Sequence, residues 1–323
     1  MTSTIYIIGW NGDQWLPACL ENLHRASRER LHLVLIDNHN NPGIAKLPLE
    51  RFETRVVKTP RKMGFADAHN FGIVAAPPPP GLVVLLNQDT QSADGWIDHC
   101  TACFEQDPAL GVLMPGLRTY ADDGWDVNFL ECAKANPTLL ARLDAPTAGA
   151  GGKTPSCHRV PVVTAAAMVV RTQVLANLGL FDPIFESYYE DYDFCRRVRE
   201  AGWMIGICPE ARVRHFVGSA TDSPEAVMRR HRWVLRNRVI HQARSSGDKR
   251  LGYFVRHFIA DFPRRIARSL LHTNSSQPFK AILLANLDLM LLIPRLISAK
   301  VDCYIWHRDL VRMGWITIRN NTK

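Results

Sequence analysis

Four short aliphatic runs dominate the first ninety residues: Ile5-Tyr6-Ile7-Ile8, residues 31–37 (LHLVLID), Arg55-Val56-Val57 and residues 82–87 (LVVLLN). Runs this short, aliphatic on both faces and bounded by polar residues, are the pattern of strands buried on both sides of a parallel sheet. Helical spacing fills the gaps, around 14–28, 65–75 and 94–106. Pro77–Pro80 and Gly81 stop a helix and hand the chain to the next strand. The β-α-β-α order predicts an α/β fold, a mostly parallel sheet flanked by helices, with ligands at the carboxyl ends of its strands. One strand ends in Asp37-Asn38-His39, another in Asn87-Gln88-Asp89-Thr90, so both tips should meet at one edge.

Further along, residues 118–159 are rich in Ala, Gly, Pro and Thr and read as an irregular excursion that orders over a substrate. Residues 159–171 (RVPVVTAAAMVVR) read as a strand with a small-residue segment that a ligand can approach. A helix near 172–178 follows.

Charge divides the chain. Residues 225–323 hold 19 Lys and Arg against 6 Asp and Glu, whereas residues 1–224 hold 20 against 25. An acidic front and a basic tail imply chemistry first and attachment to something anionic second. The tail reads as helices near 225–244, 250–272, 279–298 and 301–313. Its apolar run, residues 282–293, holds Asn286 and Asp288 and is closed by Pro294. It is too short to span a bilayer, and reads as a buried or interfacial helix. The tail's aromatics and cations suit an anionic membrane surface, or equally a helical cap packed on the front region. No nucleic-acid recognition motif accompanies them.

No basic region followed by a long apolar stretch opens the chain, so no secretory signal is expected. The eight cysteines form no framework, and Cys100 and Cys103 lack the partners of a zinc site. A cytoplasmic protein is the expectation, peripheral on the inner face of the membrane if the tail binds there.

Six motifs then appear in order. Asp37-Asn38 follows the second strand, and Gly64-Phe65-Ala66 precedes Asn70-Phe71-Gly72-Ile73. Leu85-Leu86-Asn87-Gln88-Asp89-Thr90 ends the fourth strand. Gly179-Leu180-Phe181-Asp182, Tyr189-Glu190-Asp191-Tyr192-Asp193 and Arg214-His215-Phe216 come later. Together, over roughly residues 5–220, they resemble the family 2 glycosyltransferases of GT-A fold, and most closely the rhamnosyltransferase-like branch. Three positions depart from the family pattern: Lys62 stands where Asn is common, Asn40-Asn41 where a second acid is usual, and Asn87 where the first Asp of the metal-binding element would be.

The resemblance implies a nucleotide-sugar and catalytic domain over residues 1–222 and a helical basic region over 223–323. It also implies an inverting transfer from a nucleotide-diphosphate donor of dTDP or UDP type to a surface-glycan or lipid-linked acceptor. Asp89, at a strand tip, suits Mn²⁺ or Mg²⁺, and the family makes His215 its second ligand. Asp37, Asn38, Gly64 and Phe65 would face the donor, with Asn70, Asn87 and Gln88. The family places its base at Asp191, with Glu190, Tyr188 and Asp182 toward the acceptor.

Residues alone supply plainer readings for several of these. Asp37 suits an Asx turn, Asp89 a helix cap, and His215 a strand end satisfied by backbone. A helix starting near Glu190 would bury Phe194, Val198 and Ala201. It would also place Glu190, Asp191 and Asp193 in its first turn, where the dipole favours anions, with Arg196, Arg197 and Arg199 as ion-pair partners. Two other classes compete: a sugar-nucleotide nucleotidyltransferase, which would want a basic residue in Gly9-Trp10-Asn11-Gly12, and an inactive scaffold.

Overall fold

A computed structural model gives the structure of residues 1–39, 42–143, 155–216, 223–272 and 277–297. The aliphatic runs form the strands expected of them: β1 (Ser3–Gly9), β2 (His32–Asp37), β3 (Glu53–Lys58) and β4 (Leu82–Leu86) pair in parallel, in the order β3-β2-β1-β4. The sheet continues through β8 (Ala167–Arg171), β6 (Leu110–Thr119), β9 (Met204–His215) and short β5 (Thr90–Ser92), with β7 (His158–Arg159) beside β9. β8 runs antiparallel to β4 and β6, whereas β6 and β9 are parallel to each other. Six of the described strands therefore run one way, and β5, β7 and β8 oppose them.

Helices α1 (Leu16–Leu23), α2 (Phe65–Ala75), α3 (Trp96–Gln106), α6 (Thr172–Leu178) and α7 (Glu190–Glu200) flank the sheet. Strand β4 is buried at all five positions, as a strand covered on both faces must be. Gly81, at φ +151°, lets β4 start against β1, since a Cβ there would meet the carbonyl oxygen of Thr2 at 2.2 Å.

The excursion is more regular than its composition suggests. It carries α4 (Val127–Ala133) and α5 (Pro137–Leu143); part of the remainder, 144–154, lies outside the described residues. The predicted strand over 159–171 is regular only at Arg159, which ends β7, and at β8. In α7, Phe194 and Val198 are buried as expected, but Ala201 is the exposed C-cap.

The basic tail is helical: α8 (Pro224–Ser245), α9 (Arg250–Arg256), α10 (Phe262–His272) and α11 (Gln277–Ile297). The helix expected at 301–313 lies outside the described residues. These helices have their own core, in which Val239, Ile240, Phe254 and Leu289 surround Ile184 and Phe185. Residues 282–293 lie in α11, where Asp288 forms a two-pronged ion pair with Arg232 of α8 at 2.6 Å and buried Asn286 bonds His257. No described helix is long and apolar enough to cross a membrane.

Candidate active site

Two adjoining lobes open along the carboxyl edge of the sheet. The first, about 260 Å³, is lined by Trp10, Asn38, Lys62 to Phe65, Asn87 to Asp89, and Arg229 and Trp233 of α8. The second, about 430 Å³, is lined by Asn128 and Cys132 of α4, Thr164 to Ala166, Tyr188 to Tyr192, His215 and Val234. Phe65, Asn87 and Ser187 belong to both and form the passage between them.

The strand tips expected to meet do so in the first lobe. Asn38 spends its amide on the loop before α2, donating to the carbonyl of Met63 at 3.0 Å and accepting from its amide at 2.9 Å. Gln88 pairs with the backbone of Trp10 through both ends of its amide, at 3.0 and 2.7 Å. Lys62, where the family pattern has Asn, lies with its ammonium 3.9 Å above the Trp10 ring. Burial, and after it the neighbouring charge of Arg229, lowers the Lys62 pKa.

Register places the candidate metal ligands side by side. Thr90 pairs with His215 across β5 and β9, and the Asp89 carbonyl accepts from the Phe216 amide at 3.0 Å. His215 Nε2 then lies 3.7 Å from Asp89 Oδ1 and 3.5 Å from the Asn87 amide nitrogen. Phe216 packs against Trp15, ring centroids 4.5 Å apart, which fixes the chain just past the histidine. Burial raises the Asp89 pKa and the imidazole of His215 opposes it.

Asp126 holds the other nitrogen of His215, and sequence reasoning missed it. Its Oδ2 lies 2.9 Å from His215 Nδ1, while its Oδ1 caps α4 by accepting from Asn128 and Phe129. Burial works against this fully buried carboxylate, but His215 and the two amides bring its pKa below the ordinary value. A carboxylate on Nδ1 leaves Nε2 free to ligate, the usual outer-shell support of a metal-bound histidine. The signal available was Asp126 preceding Val127, a helix cap in a stretch with little periodicity.

One carboxylate, a hard oxygen donor, and one imidazole, a borderline nitrogen donor, form a pair that Mn²⁺ can accept. Among the described residues no group of three His, Cys, Asp or Glu side chains surrounds such an ion, so the pair fits an ion whose remaining ligands come from a bound phosphate or water.

The second lobe centres on Asp191. Its carboxylate accepts from the amides of Tyr192 at 2.9 Å and Ala165 at 3.3 Å. Burial pushes its pKa up to about 6, against those hydrogen bonds. Glu190 is more deeply buried; burial and the neighbouring Asp191 raise its pKa well above the carboxylate range. Asp193 plays a different part. Fully buried, it is held by Arg196 at 2.9 Å, Arg197 at 3.0 Å and Arg244 at 3.3 Å. Two of the three expected arginine partners are thus correct; Arg199 is exposed, and Arg244 comes from α8.

The loop ahead of α7 is strained and braced. Glu186, Tyr188 and Tyr189 all have φ between 58° and 70°, a region that costs a non-glycine residue energy and persists only where surroundings enforce it. Asn237 of α8 donates to the carbonyls of Phe185, Ser187 and Tyr188, and Arg236 to those of Ile184 and Phe185. The N-terminus of α2 braces the other side: Ala66 donates to the Glu186 carbonyl, and Phe65 to the Ser187 hydroxyl. Gly64 is needed there, because a Cβ would meet that carbonyl at 2.7 Å.

Several expected site residues stand elsewhere. Asp182 is buried, capping the turn Pro183–Phe185 and pairing with Arg244 at 2.7 Å, and is not on the cleft. Asn70 is buried with its amide exchanging bonds with the Phe181 backbone, at 2.9 and 3.2 Å. Asp37 is buried at the end of β2, one residue back from the lobe that Asn38 lines. Gly64 does line the first lobe, and its closest backbone contact is with Glu186. Phe185, ahead of the Tyr188 loop, is fully buried in the second core. The site also gains Arg229, Trp233 and Val234 from the tail.

This geometry coincides with a family match. The family described as Glycosyltransferase like family 2 matches residues 3–235, and the chain belongs to it. It is a glycosyl-transferring class of enzyme with a GT-A-like α/β fold. Among characterised relatives, the chain is 25% identical over 234 residues to the N-acetylglucosaminyl-diphospho-decaprenol L-rhamnosyltransferase of Mycobacterium tuberculosis, covering 65% of this chain and 75% of that protein. It is 28% identical over 163 residues to the pre-mycofactocin glycosyltransferase of the same species, covering 50% of this chain and 32% of that one. Two solved structures share the fold. The mannosyltransferase PcManGT from Pyrobaculum calidifontis, in complex with GDP-Man and Mn²⁺, aligns with a TM-score of 0.55 and 15% identity, over 97% of this chain and 79% of that chain. S. aureus TarS 1–349, in complex with UDP-GlcNAc, aligns with a TM-score of 0.53 and 15% identity, over 97% and 92%.

Proposed function

We propose that the protein is an inverting, metal-assisted glycosyltransferase. It moves a deoxysugar, rhamnose first, from a dTDP- or UDP-linked donor to a hydroxyl of a lipid-linked or surface-glycan acceptor. Residues 1–222 would be the donor-binding and catalytic unit, and residues 223–323 a basic helical region that also completes the cleft.

The carrying observation is that Asp191 and His215 line one lobe and Asp89 the adjoining one, with Asn87 common to both. The first lobe suits the donor, with Trp10 and Trp233 as aromatic walls for a base and Lys62 and Arg229 as charges for a diphosphate. Asp89 and His215 would hold Mn²⁺ or Mg²⁺. When bound, such an ion supplies Lewis-acid neutralisation of the leaving diphosphate.

Asp191 takes the proton of the acceptor hydroxyl as its oxygen bonds to the anomeric carbon. The bond from that carbon to the diphosphate oxygen breaks, and the nucleoside diphosphate leaves. A carboxylate with its pKa raised to about 6 is ionised at neutral pH yet more basic than an ordinary Asp, as a general base should be. Burial and the neighbouring Asp191 raise the Glu190 pKa, which favours its protonated form, and in that form it can donate a hydrogen bond to the acceptor or the loop.

The name of the M. tuberculosis relative, a rhamnosyltransferase of a diphospho-decaprenol-linked sugar, supports the choice of sugar and a lipid-linked acceptor. Peripheral membrane attachment is supported by exposed apolar side chains among the arginines, including Leu251, Ile259, Leu287 and Leu291.

The test is transfer from nucleotide sugars by Asp191→Asn. Donor affinity should hold while transfer falls about 100- to 10,000-fold; a folded variant transferring at the wild-type rate refutes the assignment.

A further inference from the structure

The C-terminal helices border a second, open cavity, about 590 Å³, away from the cleft. It lies between α8, α9, the π-turn His257–Asp261 and α10, and four arginines line it: Arg238, Arg256, Arg264 and Arg265. A single carboxylate shares the space. Asp261 lies 4.0 Å from Arg256 and 3.9 Å from Arg264, the outer limit of an ion pair. Among the described residues, no carboxylate comes within that limit of Arg238 or Arg265. Four cations around one cavity repel one another unless an anion joins them. The lining is otherwise ordered: the Tyr253 hydroxyl donates to the Gln242 side chain, and His257 is fixed by Asn286 at 2.8 Å.

Tyr189 ties this cavity to the active site. It lines the Asp191 lobe, and packs against the core that contains Phe254 of α9. Burial raises its pKa; Arg238 and Arg265 oppose that rise and Asp191 adds to it. Tyr189 thus touches both the lobe that holds Asp191 and the core of the helices that carry the arginines. Helix α9 and the π-turn also carry an exposed apolar ridge: Leu251, Val255 and Ile259, at four-residue spacing, are 59, 50 and 75% exposed.

We propose that this arginine cavity binds the phosphate or diphosphate that joins the acceptor sugar to its carrier. The proposal rests on the glycosyl-transfer reading of the cleft and names a second site for the same substrate. Planar guanidinium forks match phosphate oxygens. With the sugar hydroxyl at Asp191 and the anionic link beyond Tyr189, an apolar carrier would leave along the ridge.

The test uses the full chain and decyl diphosphate as probe, in EDTA, so that no divalent ion draws the probe to Asp89 and His215. Calorimetry should show binding to the wild type, and at least tenfold weaker binding to Arg238→Ala/Arg265→Ala and to Arg256→Gln/Arg264→Gln. Nucleotide-sugar hydrolysis and Tm should be unchanged in both. In a second arm, sedimentation with phosphatidylglycerol vesicles should change less than twofold. Undiminished decyl diphosphate binding by both variants overturns the proposal. So does loss of vesicle binding alone, which would assign the cavity to a lipid headgroup. If the wild type hydrolyses no nucleotide sugar, the reading of the cleft fails, while the calorimetric arm still reports on the cavity.

Discussion

His215 and Asp126 form a buried pair, with Nδ1 2.9 Å from the carboxylate and Nε2 turned toward Asp89. Asp126→Asn keeps an oxygen able to cap α4 but can present an amide N–H to Nδ1. That would move the imidazole proton to Nε2 and remove the free nitrogen a metal needs. We expect Mn²⁺ affinity, read by electron paramagnetic resonance, to fall about 10- to 100-fold, with Tm nearly unchanged. Equal Mn²⁺ affinity would show that the pair serves the fold alone.

Asp191 sets the pH response. Its carboxylate must be ionised to accept a proton, and its pKa is raised to about 6. kcat/KM should therefore be flat above neutrality and fall tenfold per pH unit below about 6. Glu190, whose pKa burial and the neighbouring Asp191 raise, is not the base in this reading, so Glu190→Gln should keep activity within about tenfold, less than the roughly 100-fold or more that a general base contributes. A Glu190→Gln loss as large as that of Asp191→Asn would exchange their roles.

Asp193 links the tail to stability. Three arginines hold this buried carboxylate well below its ordinary pKa, although burial alone would raise it. A depressed pKa gives stability that is present above the unfolded value, near 4, and lost as pH falls through the folded one. Arg244→Ala, which strips a partner from both Asp193 and Asp182, should cost about 3–5 kcal/mol. Denaturant unfolding at pH 7 and pH 3 would check both statements; a variant as stable as the wild type would contradict them.

Gly64→Ala tests the bracing of the catalytic loop. A Cβ would press on the Glu186 carbonyl at 2.7 Å, displacing backbone beside Tyr188 and Tyr189 without changing the chemistry of any side chain of the cleft. Transfer should drop at least tenfold, because misplacement of catalytic groups by about 1 Å has effects of that size. A wild-type rate would mean the loop position is not limiting.

The front sheet was legible because β1, β2 and β4 are buried on both faces and carry no competing pattern. That Asp89, Asp191 and His215 would come to one edge of the sheet was legible because their motifs occupy strand ends and a helix start. Asp182 and Asn70 misled for the opposite reason. They share those motifs, but hydrogen bonds within the protein consume them, and whether a polar group faces solvent or a neighbour depends on tertiary contacts far away in the chain. Asp126 was hidden in Ala- and Gly-rich chain whose helices are seven residues long. The tail's charge was plain, but not its division. Arg236 and Arg244 are spent inside on the Asp191 loop and on Asp193, Arg232 on Asp288, and Arg229 on the cleft. Charge counting cannot separate these from arginines facing solvent.

The central claim is that Asp89 and Asp191 serve one sugar from two sides of a single cleft. A crystal structure of the chain with a nucleotide-diphosphate sugar and Mn²⁺, with anomalous data at the manganese edge, tests it most directly. The account predicts an anomalous peak between Asp89 and His215, with the anomeric carbon between that peak and the Asp191 carboxylate. A peak elsewhere, or a sugar turned away from Asp191, would contradict it.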